Sequence, residues 1–505
     1  MYNTNFLATR LAEAGASRLN SPFIDQPDLG RVTTFADFFL NAERIAQVLV
    51  DQGVTPGDRV LVYAPKSATC IELYFACLIA GAVYTSINPA IPFDDVDYFV
   101  NDAQPALIVT DAERYAAVFR DRAGGPKALT VNADETGTLV DLRDGHAGGF
   151  TAIARDRDDP AAILYTSGTT GRPKGVVHSH GALWSNADVL RAYWRFAADD
   201  VLLHCLPIFH LHGLFTAMNV LLASGASCKY IPAFDRDAIL NLMPGATVMM
   251  GVPPYYMALL NDPRLPDAAR GMRVFISGSA PMLPQTHAQW RAATGTMILE
   301  RYGMTECSMI ASNPYDAERR PNSVGFPLPG TEVRIVDIQT GAPLPAGEIG
   351  MIEIRGPNLF SGYWQKPEKT AEDMQDDGFF ISGDFGKYDA DGYLYVIGRV
   401  KDAVISPDGI VFPKKVEEQI DALPGIAESA VVSVPHPERT AVPVAIIVAN
   451  GDAIAEEMMR DALQGHLDAH EVPARFITVG ELPRNAMGKV QKVALRAQYN
   501  TLFSA

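Results

Sequence analysis

The stretch 165–175, YTSGTTGRPKG, decides the fold of this 505-residue chain. The apolar run AAIL (161–164) precedes it and VV (176–177) follows it, which predicts a strand, a loop and a second strand. Its glycines let the backbone bend sharply toward an anion, and its N–H groups, hydroxyls and Lys174 can then hold phosphate oxygens. Most Gly/Ser/Thr clusters are surface turns, but the strand flanks and Lys174 favour a phosphate-binding loop. A Walker A loop is excluded because Gly175 follows Lys174.

The composition predicts a multidomain globular protein and does not exclude an anionic small ligand. With 505 residues, 48% of them hydrophobic, the chain is too long for one core. A net charge of −17 argues against a nucleic-acid partner, which requires a basic surface. The scattered cysteines form no CxxC pair and favour buried thiols. No signal-peptide pattern is present and the longest apolar run, 71–87, is too short for a span, so we predict a cytoplasmic protein without stable membrane insertion.

Strands and helices alternate from residue 35 to about residue 320. Apolar spacing predicts helices at 35–53, 68–81 and 182–194, and strands within 58–66, 82–89, 106–111, 201–207, 246–251 and 273–278. Alternation of this kind predicts a parallel sheet with helices on both faces.

The pattern changes twice in the last third of the chain. Short β-like segments such as 331–337 and 349–356 alternate with Pro/Gly turns, which predicts an antiparallel or barrel-like region. Beyond Lys401, helices at 413–422 and 454–469 and two strand-like runs predict a smaller α+β unit. The expected domains are therefore 1–400 and 401–505.

A second chemical motif is ERYGMTE, residues 300–306, at the end of a predicted strand. Ligands in open α/β sheets bind beyond such carboxyl ends. Tyr302 could stack on a base, Thr305 could donate to a phosphate, and Glu306 could hold Mg²⁺, which prefers oxygen ligands shared with phosphates. A capped helix start explains this stretch equally well.

Two further motifs lie closer to the carboxyl terminus. In SGDFGKYDADGYLYVIGRVKD (382–402), Asp384 could accept ribose hydroxyls and Arg399 could reach a sugar or phosphate, although such an aspartate is more often a turn residue. By itself PRNAMGKVQK (483–492) favours a basic terminal loop, but Lys489, flanked by glycine in an exposed loop, could instead close over a phosphate as a mobile cation.

Together these stretches resemble the adenylate-forming superfamily of acyl-CoA synthetases and AMP-dependent ligases, over roughly residues 30–500 and in the same order. The sequences of these motifs are most similar to those of malonyl-CoA synthetases. The resemblance implies an α/β fold: a large N-terminal domain of two doubly wound α/β subdomains with a small β-barrel-like region, then a small mobile α+β C-terminal domain. It also implies ATP, Mg²⁺ and CoA as cofactors and a small carboxylic acid as substrate.

The resemblance also implies a role for each matching residue. The phosphates of ATP would be held by Thr166, Ser167, Gly168, Thr169, Thr170 and Lys174, the adenine by Ser279, Ala280, Pro281 and Tyr302, and the ribose by Asp384 and Arg399. Lys489 would contact the reacting carboxylate and the α-phosphate, Thr305 the α-phosphate, and Glu306 with Thr166 the Mg²⁺. His210 would be the gate beside the carboxylate, and Lys401 the hinge of the C-terminal domain.

The sequence departs from the family's motifs at two places, one near the predicted acid pocket and one near the predicted thiol site. Malonyl-CoA synthetases have an arginine in GVPxxYxR, where this chain has Ala258. An acid with a neutral or apolar tail would suit a pocket of His212, Met257, Ala258, Met304 and Met309, since methionine adapts to varied apolar shapes. Near the expected thiol tunnel, Pro407-Asp408 replaces the usual Gly-Gly or Ser-Gly pair and Lys415 replaces a glutamate.

We therefore expect an AMP-forming acid–CoA ligase for a small or medium monocarboxylate. The alternatives are a malonyl- or methylmalonyl-CoA synthetase proper, or a stand-alone adenylation enzyme with a carrier-protein or amine acceptor. A regulatory nucleotide-binding protein without turnover is disfavoured because Glu306, Arg399 and Lys489 are all present.

Overall fold

The computed structural model describes residues 2–120, 125–166, 172–406, 409–451, 454–484 and 489–503. As far as residue 327 the strands are β1 (Pro22–Gln26), β2 (Arg31–Thr34), β3 (Arg59–Tyr63), β4 (Val83–Ser86), β5 (Leu107–Thr110), β6 (Lys127–Thr130), β7 (Pro160–Thr166), β8 (Lys174–Ser179), β9 (Val201–His204), β10 (Ser227–Tyr230), β11 (Val248–Gly251), β12 (Val274–Ser277), β13 (Leu299–Met304), β14 (Ser308–Ser312) and β15 (Phe326–Pro327).

The helices of the same region cover the faces of two sheets. They are α1 (Phe6–Ala16), α2 (Phe35–Asp51), α3 (Ala68–Ala80), α4 (Val96–Ala103), α5 (Ala112–Arg114), α6 (Thr138–Asp144), α7 (His180–Tyr193), α8 (Val220–Ser224), α9 (Arg236–Leu242), α10 (Pro253–Leu260), α11 (Leu265–Ala268) and α12 (Pro284–Thr294), with π-helical segments at Tyr115–Phe119 and His212–Asn219.

Helix α3 shows why the sequence folds as it does locally. The Ser67 side chain accepts a hydrogen bond from the backbone N–H of Cys70 and begins the helix. Gly81 ends it with φ 71°, a left-handed conformation that favours glycine. Every residue of α3 is buried, because the helix lies between a sheet and the neighbouring helices. The apolar run at 71–87 is therefore core. Within the described residues, no helix is both long and apolar enough to cross a membrane.

After β15 the chain forms β16 (Glu332–Val336), β17 (Gly350–Arg355), β18 (Gly362–Tyr363), helix α13 (Pro367–Asp373), β19 (Phe380–Tyr388) and β20 (Leu394–Arg399). In the described chain, one sheet has the order β18-β8-β7-β4-β3-β5-β6 and another β15-β14-β13-β12-β11-β9-β10-β1-β2. The central pairs of both sheets are parallel. The antiparallel sheet β16-β17-β19-β20 follows them. This α/β architecture confirms the predicted fold class.

The C-terminal part forms a smaller α+β unit. Its elements are β21 (Val404–Ser406), β22 (Gly409–Val411), α14 (Pro413–Asp421), β23 (Ile426–His436), β24 (Thr440–Ala449), α15 (Glu456–Leu463), β25 (Arg475–Val479) and α16 (Lys492–Tyr499). The predicted helix 454–469 is too long, since α15 stops before Gly465, which has φ 84°. The domain boundary at residue 400 stays a prediction.

Candidate active site

Strands β7 and β8 hold the two ends of the glycine-rich stretch. They pair antiparallel, with Thr166 opposite Lys174, so the stretch leaves and re-enters one sheet at the same edge. The Lys174 Nζ lies 4.1 Å from the centre of the Tyr363 ring, within range of a cation–π contact. Ser167, Gly168, Thr169 and Thr170 lie outside the described residues. The predicted strands on either side of the glycine-rich stretch are confirmed, and the phosphate contacts stay a prediction.

Glu306 contacts the same tyrosine as Lys174. The Tyr363 hydroxyl is 3.1 Å from Glu306 Oε1 and 3.2 Å from Asp373 Oδ2, so its proton can be donated to either carboxylate. Burial raises the pKa of Glu306, and the hydroxyl opposes that shift. One carboxylate of this kind suits Mg²⁺, which takes most of its other ligands from water and substrate phosphates. Among the described residues, no group of three or more His, Cys, Asp and Glu forms a protein-only metal site.

The predicted ribose contacts form one buried network with Tyr302. Asp384 and Arg399 lie directly opposite each other on β19 and β20 and form an ion pair, with 2.8 Å between Arg399 Nε and Asp384 Oδ1. The Tyr302 hydroxyl donates to Asp384 Oδ2. Asp384, 4% exposed, raises the pKa of Arg399 by its charge, so the guanidinium stays cationic. Residues from two distant motifs therefore meet at one point.

The C-terminal unit contributes a further cation to this point. Loss of solvation, and then the charge of Arg399, lower the pKa of Lys489, while Asp384 opposes the shift. The charges of Arg399 and Asp384 both act on Lys489, which links the C-terminal unit electrostatically to the predicted ribose contacts. Loss of solvation, with the charges of Arg399 and Lys489, lowers the pKa of Lys401 to about 8. The hinge role of Lys401 stays a prediction.

The predicted adenine wall follows β12. Ser279 has φ 70°, an uncommon value for a residue other than glycine. Backbone held in this region stores strain and is found preferentially at functional sites. Ser279 and Ala280 are half-buried and Pro281 is exposed. The wall therefore lies at the carboxyl edge of the nine-stranded sheet, where open α/β sheets bind ligands.

The two predicted pocket histidines are uncharged. Burial lowers the pKa of His210 to about 4, and burial followed by the charge of Arg301 lowers the pKa of His212 well below its usual value. His210 is half-buried against Phe209, with ring centres 4.7 Å apart. His212 is buried at the start of the π-helical segment, a conformation common at functional sites. Neutral imidazoles suit a gate that must admit an anionic acid without binding it permanently.

The predicted apolar pocket residues are not equally buried. Met309 is buried, Met304, Ala258 and Thr305 are half-buried, and Met257 is 42% exposed. Gly303 stands opposite Met309 in the β13–β14 pair. The lysine noted at 415 forms a salt bridge with Glu471, at 2.6 Å from Lys415 Nζ to Glu471 Oε2. Pro407 and Asp408 lie outside the described residues.

Arg301 is the residue that the sequence reasoning missed. It lies inside the motif ERYGMTE, but no local sequence pattern distinguishes it from its neighbours. Arg301 is 4% exposed, and its Nε and Nη2 have no hydrogen-bond partner within the described residues. A Cβ on Gly278 would lie 2.3 Å from its Cζ, so the guanidinium packs under the turn that leads to Ser279.

No carboxylate within the described residues forms an ion pair with Arg301. The adjacent Glu300 is already occupied: it accepts from His287 Nε2 at 2.7 Å and from the backbone N–H groups of Met282 and Asn322. Burial lowers the pKa of Arg301 to about 10, which still leaves it cationic at neutral pH. The nitrogens of His212 and the Ser277 hydroxyl likewise have no partner in the described chain. The carboxyl edge of the sheet thus contains a buried, uncompensated cation.

Comparison with known proteins identifies the family. Residues 11–364 match the model of the AMP-binding enzymes, and residues 415–489 match the AMP-binding enzyme C-terminal domain. A malonate–CoA ligase from Arabidopsis thaliana is 31% identical over 88% of this chain and 78% of its own length. A feruloyl-CoA synthase from Amycolatopsis is 33% identical over 93% of this chain and 94% of its own.

A solved structure extends the similarity to nearly the whole chain. The ATP-bound crystal structure of MatB from Rhodopseudomonas palustris is 46% identical, covers 98% of this chain and 100% of its own, and superposes with a TM-score of 0.94. The apo crystal structure of MatB superposes with a lower TM-score of 0.84, so the conformation of this chain is more similar to that of the ATP-bound form. The chain belongs to the AMP-binding enzymes of the adenylate-forming superfamily, and it is an AMP-forming acyl-CoA synthetase that uses a carboxylic acid, ATP and CoA.

Proposed function

We propose that this synthetase activates a short carboxylic acid whose far end carries a second anionic group, as malonate and its 2-alkyl derivatives do. The observation that supports this proposal is the unpaired cation of Arg301. A buried charge without a partner costs several kcal/mol, so its retention requires compensation. A carboxylate accepting from the free Nε and Nη2 would form a bidentate, charge-assisted pair.

Strand order explains how Arg301 could replace the arginine expected at position 258. Helix α10, which carries Ala258, follows β11, and Arg301 lies on β13, two strands away in the same sheet. Both strands are parallel to β12, so their carboxyl ends lie at one edge. The electrostatic effect of Arg301 on His212 links it to the predicted acid pocket. A cation can therefore reach that pocket from a different strand.

A neutral-tailed monocarboxylate is the second candidate, and Ala258 and the buried Met309 favour it. The relatives do not decide between the two. One is named for malonate, which has a second carboxylate, and the other for a feruloyl group, which has none. A neutral acid would leave the Arg301 guanidinium uncompensated, and for this reason we prefer the anionic tail.

The reacting end is proposed to use the residues of the buried network. An ionised carboxylate attacks the α-phosphorus, so the site must neutralise two anions that approach each other. Lys489 would stabilise that contact, Glu306 would hold Mg²⁺, and Lys174 would receive the departing pyrophosphate. Asp384 and Arg399 would fix the ribose, and Tyr302 the base.

The test is ATP–pyrophosphate exchange with malonate, methylmalonate, propionate and butyrate, followed by thioester detection after CoA is added. We expect exchange with the dicarboxylates to exceed that with the length-matched monoacids by at least ~10-fold, the factor that a single charge-assisted pair supplies. Equal or better exchange with propionate or butyrate would support the second candidate. Adenylation without any thioester would indicate another acceptor, such as a carrier protein or an amine.

A further inference from the structure

Lys66, which the sequence reasoning did not single out, occupies a cage of neutral acceptors. Its Nζ lies 2.8 Å from the carbonyl oxygen of His204, 2.6 Å from that of Ile231 and 2.9 Å from His204 Nδ1. It also lies 4.2 Å from the centre of the Tyr230 ring. The three N–H donors of an ammonium group are thereby used, and none of these acceptors is a carboxylate.

The cage joins the two sheets of the large domain. Lys66 follows β3, at the start of α3, whereas His204 and Ile231 lie at the carboxyl ends of β9 and β10. The Tyr230 hydroxyl reinforces the junction by donating to the carbonyl oxygen of Ser67 at 3.1 Å. The ammonium is therefore held at the edge from which the segment 205–213 departs.

The ammonium determines which nitrogen of His204 carries the proton. An ammonium only donates, so Nδ1 must accept and the ring proton lies on Nε2. The Nε2 then donates to the carbonyl oxygen of Gly213 at 2.7 Å. With this tautomer, one continuous hydrogen-bonded chain links Lys66 to Gly213.

Gly213 is a sensitive point in the predicted acid pocket. A Cβ at this position would lie 2.2 Å from the carbonyl oxygen of Pro207, so the segment 207–213 folds tightly back on itself. The N–H of Leu214 donates to the carbonyl oxygen of His210 at 3.0 Å. Gly213 thus lies at the start of the π-helical segment that begins at His212, three residues after His210, the predicted gate.

We propose that Lys66 is a positioning residue of the acid pocket, which holds the segment 210–213 in its acid-binding form through His204 and the Gly213 carbonyl. This inference rests on the proposed function, because it assigns the pocket to that segment. Lys66 acts only through His204 and need not touch the acid or ATP.

Loss of one proton from Lys66 exchanges the donor and acceptor roles along the hydrogen-bonded chain. A neutral amine keeps two donors for the two carbonyls and turns its lone pair toward Nδ1 of His204. The ring then favours a proton on Nδ1, which leaves the lone pair of Nε2 facing the Gly213 carbonyl oxygen. Two acceptors repel each other, so the segment 210–213 loses its support.

The surroundings of Lys66 make this change accessible near neutral pH. Burial lowers the pKa of Lys66 to about 7. The ionisable groups around it are His204, Tyr230, Cys205, Cys228 and the exposed Asp28. Burial raises the pKa of Cys205 to about 11 and that of Cys228 to about 12, raises that of Tyr230, and lowers that of His204. At neutral pH all four are uncharged, which leaves Lys66 as the group of this cage that titrates.

The experiment compares wild type, Lys66→Met and Lys66→Arg by ATP–pyrophosphate exchange with the best acid from pH 6 to 9. For wild type we expect the apparent KM for the acid to rise above about pH 7, where Lys66 loses its proton. Lys66→Met should show a KM for the acid raised ~10-fold and independent of pH, with the KM for ATP changed less than ~2-fold. Lys66→Arg should keep the low KM at high pH, because a guanidinium does not titrate there.

A second variant separates positioning from packing. In His204→Gln the amide can accept from Lys66 through its oxygen and donate to Gly213 through its nitrogen. It should therefore retain most of the acid affinity, while His204→Leu should behave like Lys66→Met. The inference is wrong if Lys66→Met binds the acid normally, or if it folds and keeps the pH dependence of wild type. If Lys66→Met does not fold, loss of that dependence in Lys66→Arg decides the question. Absence of exchange in wild type would instead contradict the proposed function.

Discussion

Lys489→Ala is expected to lower ATP–pyrophosphate exchange by ~10²–10³-fold, the range found when one preorganised donor to a developing charge is removed. Lys489 is the cation that the C-terminal unit brings to the network of Asp384 and Arg399. Its removal leaves two approaching anions without their neutralising charge. The thiol step does not bring these anions together, so thioester formation from a supplied acyl-adenylate should fall by less than ~3-fold.

Lys492→Ala provides the matched control for Lys489→Ala. It removes a cation of the same type three residues away, but Lys492 is held by Glu417, with 2.5 Å between Lys492 Nζ and Glu417 Oε1. Exchange should change by less than ~3-fold, because the charge of Lys492 is already neutralised by Glu417. Equal loss of adenylation and of thiol transfer in Lys489→Ala would contradict the role assigned to this lysine.

Arg301→Met is expected to change activity and stability in opposite directions. The anionic acid loses a buried, bidentate partner, so its KM should rise by ~100-fold or more, equivalent to about 3 kcal/mol. Monoacids of the same length should lose little or improve. In the absence of ligand, removing an uncompensated buried charge should raise the free energy of unfolding by about 1–4 kcal/mol. Denaturant unfolding without substrates measures the second effect.

Arg273→Met is the control, because Arg273 directly precedes β12, the strand next to β13, and has a carboxylate partner. Its Nε lies 2.6 Å and its Nη2 2.7 Å from the two oxygens of Asp200, which is 4% exposed. Its loss leaves Asp200 unpaired and should lower the free energy of unfolding by about 3 kcal/mol. If Arg301→Met destabilises the protein equally and spares the dicarboxylates, Arg301 is a structural residue and the proposed anionic tail is wrong.

Much of the fold was predictable because local rules decide it. The glycine-rich stretch lies between β7 and β8 as predicted, and α2, α3 and α14 occupy the predicted positions within a few residues. Apolar periodicity and capping residues act over one or two turns of chain, so they are visible in the sequence. The helix predicted at 454–469 was too long because a weakly apolar end cannot be distinguished from the loop beyond it.

The family resemblance predicts a role for each residue of the nucleotide site, and those roles stay predictions. The described part of the structure does bring Tyr302, Asp384 and Arg399 into one hydrogen-bonded and ion-paired network. The acid end was not predictable in this way. Ala258 removes the cation expected from the local motif, whereas Arg301 belongs to a different strand of the same sheet. The parallel pairing of β11, β12 and β13 places Arg301 at the same edge.

The sequence by itself determined the α/β class, the order of the motifs and the identity of the chemical groups. Only the tertiary structure decided which of those groups are buried and which have partners. Arg301 and Lys66 are ordinary cations in the sequence. Arg301 is buried beside Glu300, whose carboxylate accepts from other donors. Lys66 is enclosed by two carbonyl oxygens and an imidazole. These surroundings determine the pKa and the interactions of each cation. Electrostatic energies depend on solvation and separation, and neither quantity is encoded in the spacing of residues along the chain.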